Sequence, residues 1–128
     1  MGKFSPSRTN VPSQAVAGQW AANVGGTFGT FGASDTTPSV TTGNLFKTHA
    51  SEQTLAKLDD GSAGQIVTII STHDVTFAYN SSGTGAFKCG SANIVTASGD
   101  VTQWVYDGTN WYLLGFMDVD QDLTWEDD

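Results

Sequence analysis

Residues 101–116 read VTQWVYDGTNWYLLGF, and this stretch decides the fold. Two segments of alternating, mostly apolar residues flank an Asp-Gly-Thr-Asn sequence, which is the pattern of a β-hairpin. The central pair of the turn is either Gly108-Thr109 in a type II′ turn or Asp107-Gly108 in a type I′ turn. The two registers differ by two residues, so each side chain keeps its face in both.

Both faces of the predicted hairpin carry large apolar side chains. A sheet of a small protein ordinarily buries one face and exposes the other to water. The second apolar face therefore indicates contact with another chain, and we expect a homo-oligomer with the hairpin at or near the seam. One face is predicted to hold Thr102, Trp104, Tyr106, Trp111 and Leu113, and the other Val101, Gln103, Val105, Tyr112, Leu114 and Phe116.

Residues 39–117 are predicted to form a compact β domain. Short segments rich in Val, Ile, Thr and aromatic residues alternate there with clusters of Gly, Ser, Asn and Asp that favour turns. About seven such strands predict an all-β fold, a small antiparallel β-sandwich or barrel. The candidate strands are TGNLFKTH, QIVTIIST, DVTFAY, GAFKC, ANIVTA, VTQWVY and NWYLLGF.

Two segments of different character flank this domain. Residues 1–38 hold all three prolines and little alternation, so they are predicted to form an irregular N-terminal arm. Trp20, Phe28 and Phe31 are spaced along the arm like anchors, and we expect them to contact neighbouring subunits. Residues 118–128 form an acidic C-terminal tail, in which Trp125 is a further candidate contact.

The charge of the chain is negative, and it is concentrated in one place. Five Lys and Arg oppose 13 Asp and Glu, which gives a formal net charge of −8. Six of the acids lie in the tail, so the rest of the chain is close to neutral. Phosphate contacts require Lys and Arg, which excludes nucleic acid as a direct partner. Without a membrane-length apolar run or a signal-peptide pattern, we expect a soluble, unprocessed chain.

The sequence does not assemble a catalytic group. His73 and Asp74 are neighbours that would point to opposite faces of a strand, an arrangement that does not suit a proton relay. Cys89, the single cysteine, is interpreted as a small buried hydrophobe. We therefore predict that the protein is not an enzyme and that it needs no cofactor.

Asp118, Asp120 and Asp122 have the spacing that opens a calcium-binding loop. The sixth position of that loop is Leu123, where Gly is required for the sharp turn. His49 is isolated, and two separate histidines do not make a zinc site. No metal site is predicted, and the acids are interpreted as a solvated tail.

Three stretches of the chain, PSVTTGNLFKT, LDDGSAGQIVTII and VYDGTNWYLLGF, carry a family resemblance in their order and spacing. From about residue 38 to residue 116 the chain resembles a β module of virion proteins of tailed bacteriophages, found in capsid decoration proteins and in fibre or spike tips. The resemblance implies a non-enzymatic, typically trimeric part of the virion.

A short chain with an aromatic-bearing arm is most similar to a capsid decoration, or cement, protein. The resemblance implies synthesis in the host cytoplasm and a trimer on the outer capsid surface, where it stabilises the shell across seams of the major capsid protein. The candidate interface residues for the trimer and the capsid are Trp20, Phe28, Phe31, Trp104, Tyr106, Trp111, Tyr112 and Trp125.

Two alternatives remain open from the sequence. One is a receptor-binding tip, a head-fibre or tail-fibre module that recognises a host surface glycan. The other is a free-standing carbohydrate-binding module, in which the hairpin rings stack on sugars. Either would need polar groups such as Gln103, Asp107 or Asn110 fixed beside the rings, and the sequence does not place them together.

Overall fold

A computed structural model describes residues 28–120 of the chain. This part contains nine strands and no helix. The strands are β1 Gly29–Thr30, β2 Leu45–Lys47, β3 Gln53–Leu55, β4 Ile66–Ile70, β5 Val75–Phe77, β6 Phe87–Lys88, β7 Ile94–Thr96, β8 Val101–Tyr106 and β9 Trp111–Met117.

The nine strands form two sheets, which confirms the predicted all-β fold and identifies it as the sandwich rather than the barrel, with two strands more than the seven expected. The larger sheet has six strands in the order β1-β2-β4-β8-β9-β6, and the smaller has three in the order β3-β5-β7. The sheets are mixed rather than purely antiparallel, which corrects that part of the prediction. The parallel pairs are β1–β2, β2–β4, β3–β5 and β6–β9, and the antiparallel pairs are β4–β8, β5–β7 and β8–β9.

The parallel pairs follow from the path of the chain. After β2 the chain crosses to the smaller sheet for β3 and then returns for β4, so β2 and β4 run in the same direction. In the same way, the chain leaves the smaller sheet after β3, forms β4 in the larger sheet and returns for β5. β3 and β5 therefore also run in the same direction. Alternation of apolar residues predicts strands, but it does not reveal which strands pair.

An aromatic cluster fills the core between the two sheets. Trp104 of β8 is fully buried, and its ring centroid lies 4.7 Å from Phe87 and 5.3 Å from Phe77. Phe77 and Phe87 meet edge to face at 5.3 Å, a favoured geometry for aromatic pairs. Because Phe77 belongs to the smaller sheet and the other two rings to the larger, this cluster joins the layers of the sandwich.

Each buried tryptophan has an acceptor for its indole N–H. Trp104 Nε1 donates to Thr102 Oγ1 at 2.9 Å, and Trp111 Nε1 donates to the Leu58 carbonyl oxygen at 3.2 Å. A buried donor left without a partner costs about 1–3 kcal/mol, so these two bonds allow the large rings to be buried without that penalty.

A buried glutamine fixes the loop that precedes β2. Gln65 Nε2 donates to the carbonyl oxygens of Val40 and Gly43 at 2.9 and 2.8 Å. Its Oε1 accepts the N–H of Ser62 at 2.9 Å. One side chain therefore satisfies three backbone groups that the larger sheet does not pair.

A second buried glutamine holds the segment after β1. Gln53 Nε2 donates to the carbonyl oxygens of Gly32 and Asp35 at 3.1 and 3.0 Å, and its Oε1 accepts the N–H of His49 at 3.1 Å. Residues 31–38 are thereby attached to the first strand of the smaller sheet.

The sandwich begins upstream of the boundary predicted at residue 38. β1 pairs with β2, and Phe31 is buried with its ring stacked on Phe46 at a centroid distance of 5.3 Å. Residues 28–38 therefore belong to the β domain rather than to a separate arm. Residues 1–27 and 121–128, which include the candidate contacts Trp20 and Trp125, lie outside the described residues.

Candidate protein-contact surface

The hairpin β8–β9 adopts one of the two predicted registers. Tyr106 pairs with Trp111, which places Gly108-Thr109 at the centre of the turn. Gly108 has a φ of 99°, a conformation that L side chains rarely adopt. Asp107 Oδ1 accepts the N–H groups of Asn110 and Thr109, each at 2.8 Å, and these hydrogen bonds, that from Asn110 first, lower the pKa of the Asp107 carboxyl.

The inner face of the hairpin is part of the core. Trp104 and Trp111 have no exposed surface, and Phe31 is buried. The prediction that these three residues contact another chain is therefore corrected, because their rings fill the interior of their own chain. The physical reason is that burial of the large apolar area of these rings drives folding.

Tyr106 also packs mainly against its own chain. It is half-buried, and its ring centroid lies 4.7 Å from that of Trp111. Gly61 lies over both rings, since a Cβ atom at this position would come within 2.5 Å of the Trp111 ring and 3.0 Å of the Tyr106 ring. The loop can cover the Tyr106 and Trp111 rings only because residue 61 is a glycine and has no side chain.

We call the solvent side of the six-stranded sheet the outer face. Ile66, Thr68 and Ile70 of β4 point to this side, whereas Val67 and Ile69 are buried. The strand register arranges the outer face in three rows. They are Lys88-Tyr112-Val105-Ile66, then Gly115-Gln103-Thr68-Leu45, then Met117-Val101-Ile70-Lys47-Thr30.

The first and third rows expose large apolar side chains. Ile66 is 41% exposed, Tyr112 42% and Met117 41%, and Leu114 beside the rows is 54% exposed. Gln103 and Thr68 are the polar members of the middle row, and Gln103 Nε2 donates to Thr68 Oγ1 at 3.0 Å. Tyr112 is thus the hairpin residue among the predicted contacts that the structure places on an open surface.

The outer face differs in charge from the chain as a whole. Its three rows contain no Asp or Glu, although the chain has a net charge of −8. The two charged residues are Lys47 and Lys88, on opposite sides of the sheet. Lys57, the remaining lysine of residues 28–120, is paired with Asp59 at 3.4 Å.

Both outer-face lysines have partners that hold their position. Lys47 Nζ lies 5.4 Å from the centroid of the Phe28 ring, a cation–π distance. Lys88 Nζ donates to the Asn80 carbonyl oxygen at 2.6 Å. Phe28, a predicted contact of the arm, is half-buried and lies beside this surface.

A β-bulge interrupts the alternation of side chains between the two faces of β9. Trp104 pairs with Leu113 and Gln103 with Gly115, so Leu114 is the extra residue. Phe116 then pairs with Thr102 of the inner side, and its predicted place beside Tyr112 is corrected. At 46% exposure Phe116 still adds apolar surface at this end of the hairpin.

The candidate catalytic residues do not come together. His73 is exposed in the turn between β4 and β5, and His49 Nδ1 lies 2.9 Å from Ser51 Oγ. Cys89 is half-buried against the core, and burial raises the pKa of its thiol. The thiolate is the reactive form of cysteine, so this environment disfavours nucleophilic chemistry.

Asp118 of the predicted tail and Asp100 of the sandwich each accept a backbone N–H from the first residues of the tail. Asp118 Oδ1 accepts the N–H of Asp120, and Asp100 Oδ1 accepts the N–H of Val119, both at 2.9 Å. Within residues 28–120 no group of three or more His, Cys, Asp or Glu side chains is placed to hold a metal ion. Asp122 lies outside the described residues.

Two further observations concern residues 28–120 as a whole. This part of the chain opens no pocket for a small ligand. It also contains no helix with the length and apolar character needed to cross a membrane.

Comparison with known protein families gives one match. Residues 25–112 match the model of the phage depolymerase C-terminal beta sandwich domain. The chain belongs to this family. Searches of curated proteins and of solved structures found no match. The match begins just before β1 and covers most of the hairpin, so it contains nearly all of the sandwich.

The family confirms the predicted resemblance to a β module of bacteriophage virion proteins, here of the tail-fibre or spike type. The chain contains a structural module of the virion, and virion location is confirmed at that level. In depolymerases this beta sandwich is the C-terminal, non-catalytic domain.

Proposed function

We propose that this protein is a capsid decoration protein that forms trimers on the outer capsid surface and binds across seams of the major capsid protein. The observation that supports the proposal is the outer face, whose three rows contain no Asp or Glu and whose large apolar side chains the described chain leaves exposed. Such surfaces on small domains mark contacts with other proteins. Burial of apolar area contributes about 25 cal/mol per Å², so association alone provides the stabilisation.

The segments on either side of the sandwich extend this mechanism. Trp20 in residues 1–27 and Trp125 in residues 121–128 are the proposed contacts with neighbouring subunits and with the major capsid protein. A trimer with three arms and three tails binds the shell at several points, which raises avidity without any single strong contact. No catalytic step, cofactor, nucleic acid or membrane is part of this proposal.

The alternative is a receptor-binding module of a fibre or tail, and the family match itself favours it. The arrangement of the hairpin argues against a glycan groove in residues 28–120. Trp104 and Trp111, the best stacking platforms, are sealed in the core. The polar groups that would orient a sugar also bond to their own chain: Asn110 Oδ1 accepts the N–H of Ala86, and Gln103 donates to Thr68.

The number of copies per virion separates the two functions. A decoration protein is present in numbers comparable to the major capsid protein, whereas a fibre or tail module is present in few copies. Quantitative staining of purified particles measures this ratio. Particles that lack the protein should also lose their genome at a lower temperature than wild-type particles. A low copy number with unchanged heat resistance would contradict a decoration role.

Removing the arm tests how the trimer is attached. Deletion of residues 1–24 leaves β1, Phe31 and the whole family match intact, so the trimer should still fold but should sediment without the particles. Deletion of residues 1–37 is the contrasting variant, since it removes β1 and Phe31 and should destabilise the sandwich itself. Particle binding that survives the shorter deletion would exclude the arm from attachment.

A further inference from the structure

We infer that the outer face of the six-stranded sheet is the surface through which copies of this chain bind one another. The occupant is a second copy, and in a trimer the outer faces of three copies surround the symmetry axis. This inference rests on the proposed function, because it assigns the trimer contact of the decoration protein to specific residues.

Charge favours a second copy over other partners. Copies of an acidic chain repel one another least through a surface that carries no acids, and the net charge of this chain is −8. The rows of the outer face meet that condition, and the lysines at their two ends are attractive to an acidic neighbour. This chain is itself such a neighbour, with Asp118 and Asp120 exposed just beyond the Met117 end of the third row.

The surface also has the relief that close packing of two chains requires. Leu114 stands out from the sheet at 54% exposure. Gly115 beside it occupies the middle row, and no atom lies within 4 Å of the place where its Cβ would be. A protruding side chain and an open notch are the two unlike elements that a heterologous contact joins, which is the type of contact that a trimer makes.

The exposed side of the smaller sheet provides the contrast. Its central row is Thr54, Thr76 and Val95, so Val95 is the single apolar member, although it is 68% exposed. A lone exposed valine is ordinary on a protein surface. The two sides of the sandwich therefore differ in how many apolar residues lie together rather than in the exposure of any one residue.

The test places one negative charge on each side of the sandwich. Ile66→Glu puts a carboxylate among the apolar rows of the outer face, and Val95→Glu puts one on the smaller sheet at a more exposed apolar position. The oligomeric state of each purified chain is measured by light scattering after gel filtration, and its fold by circular dichroism. A charge enclosed in an interface opposes binding strongly, so Ile66→Glu should weaken self-association about a hundredfold. Val95→Glu should keep the wild-type oligomer.

The outcomes separate this inference from the function on which it rests. A monomeric wild-type chain, or an Ile66→Glu chain that associates like wild type, would overturn the assignment of the outer face. If Ile66→Glu misfolds, Tyr112→Glu, at a 42% exposed position in the same row, takes its place with the same expected result. An intact wild-type oligomer that fails to bind particles would contradict the decoration role while leaving the assigned surface in place.

Discussion

The two faces of the β8–β9 hairpin look alike in sequence and have opposite fates in the structure. The inner face carries Trp104 and Trp111, both fully buried, and the outer face carries Tyr112, which is 42% exposed. Aromatic density indicates that a stretch matters for burial, but it does not indicate whether the burial occurs within one chain or between chains. The largest rings fill the core, and smaller apolar residues remain exposed on the outer face.

The strongest test of the difference between the two faces is to truncate two adjacent residues, one on each face. Trp111→Ala leaves a cavity in the core and an unpaired Leu58 carbonyl oxygen, so it should lower the free energy of unfolding by about 3–5 kcal/mol. Tyr112→Ala should change the stability of the isolated fold by about 0.5 kcal/mol or less while weakening self-association. Urea unfolding at matched protein concentrations, together with gel filtration, measures both, and equal effects at the two positions would refute the division between the faces.

A second pair of substitutions compares hydroxyl groups on the two faces. Thr102→Val removes the acceptor of the buried Trp104 indole N–H and should cost about 1–3 kcal/mol, because that donor has no access to water. Thr68→Val removes the partner of Gln103 on the outer face, where water can replace it, and should change stability by about 0.5 kcal/mol or less. Both are measured by urea unfolding, and a larger loss at Thr68 would reverse the assignment of the faces.

The smallest expected effect concerns the turn that joins β8 and β9. Because hydrogen bonds lower the pKa of Asp107 in the folded chain, its carboxylate stabilises the fold at pH values above the ordinary range of an aspartate. That contribution is lost as the pH falls through the lowered pKa. Asp107→Asn should therefore melt below the wild type at neutral pH, and the difference should shrink on acidification. A difference that is constant down to strongly acidic pH would exclude this carboxylate as its source.

Much of the fold could be predicted because alternation is a local property. The pattern in residues 101–113 assigns each side chain to a face, and in the structure Trp104 and Tyr112 lie on opposite sides as expected. Alternation does not reveal which face is the inner one when both are apolar. That choice depends on Phe77 and Phe87, which come from β5 and β6 and are distant in sequence.

Other features escaped prediction for different physical reasons. β1 has two residues, Gly29 and Thr30, which is too short for any periodicity to appear. The bulge at Leu114 depends on the register between two strands, so a single strand pattern cannot show it. The acid-free character of the outer face was likewise hidden, because its members come from strands spread over residues 30–117 and become neighbours only through pairing.

The position of β9 between β8 and β6 has a consequence for how the protein is made. Because β9 is an interior strand that forms late in the sequence, a nascent chain on the ribosome cannot complete the larger sheet until residue 117 has emerged. Until then β9 is missing from its place between β6 and β8, and the apolar side chains of Phe87 and Trp104 can associate with other nascent chains. The growing polypeptide should therefore remain prone to aggregation until β9 has left the ribosome.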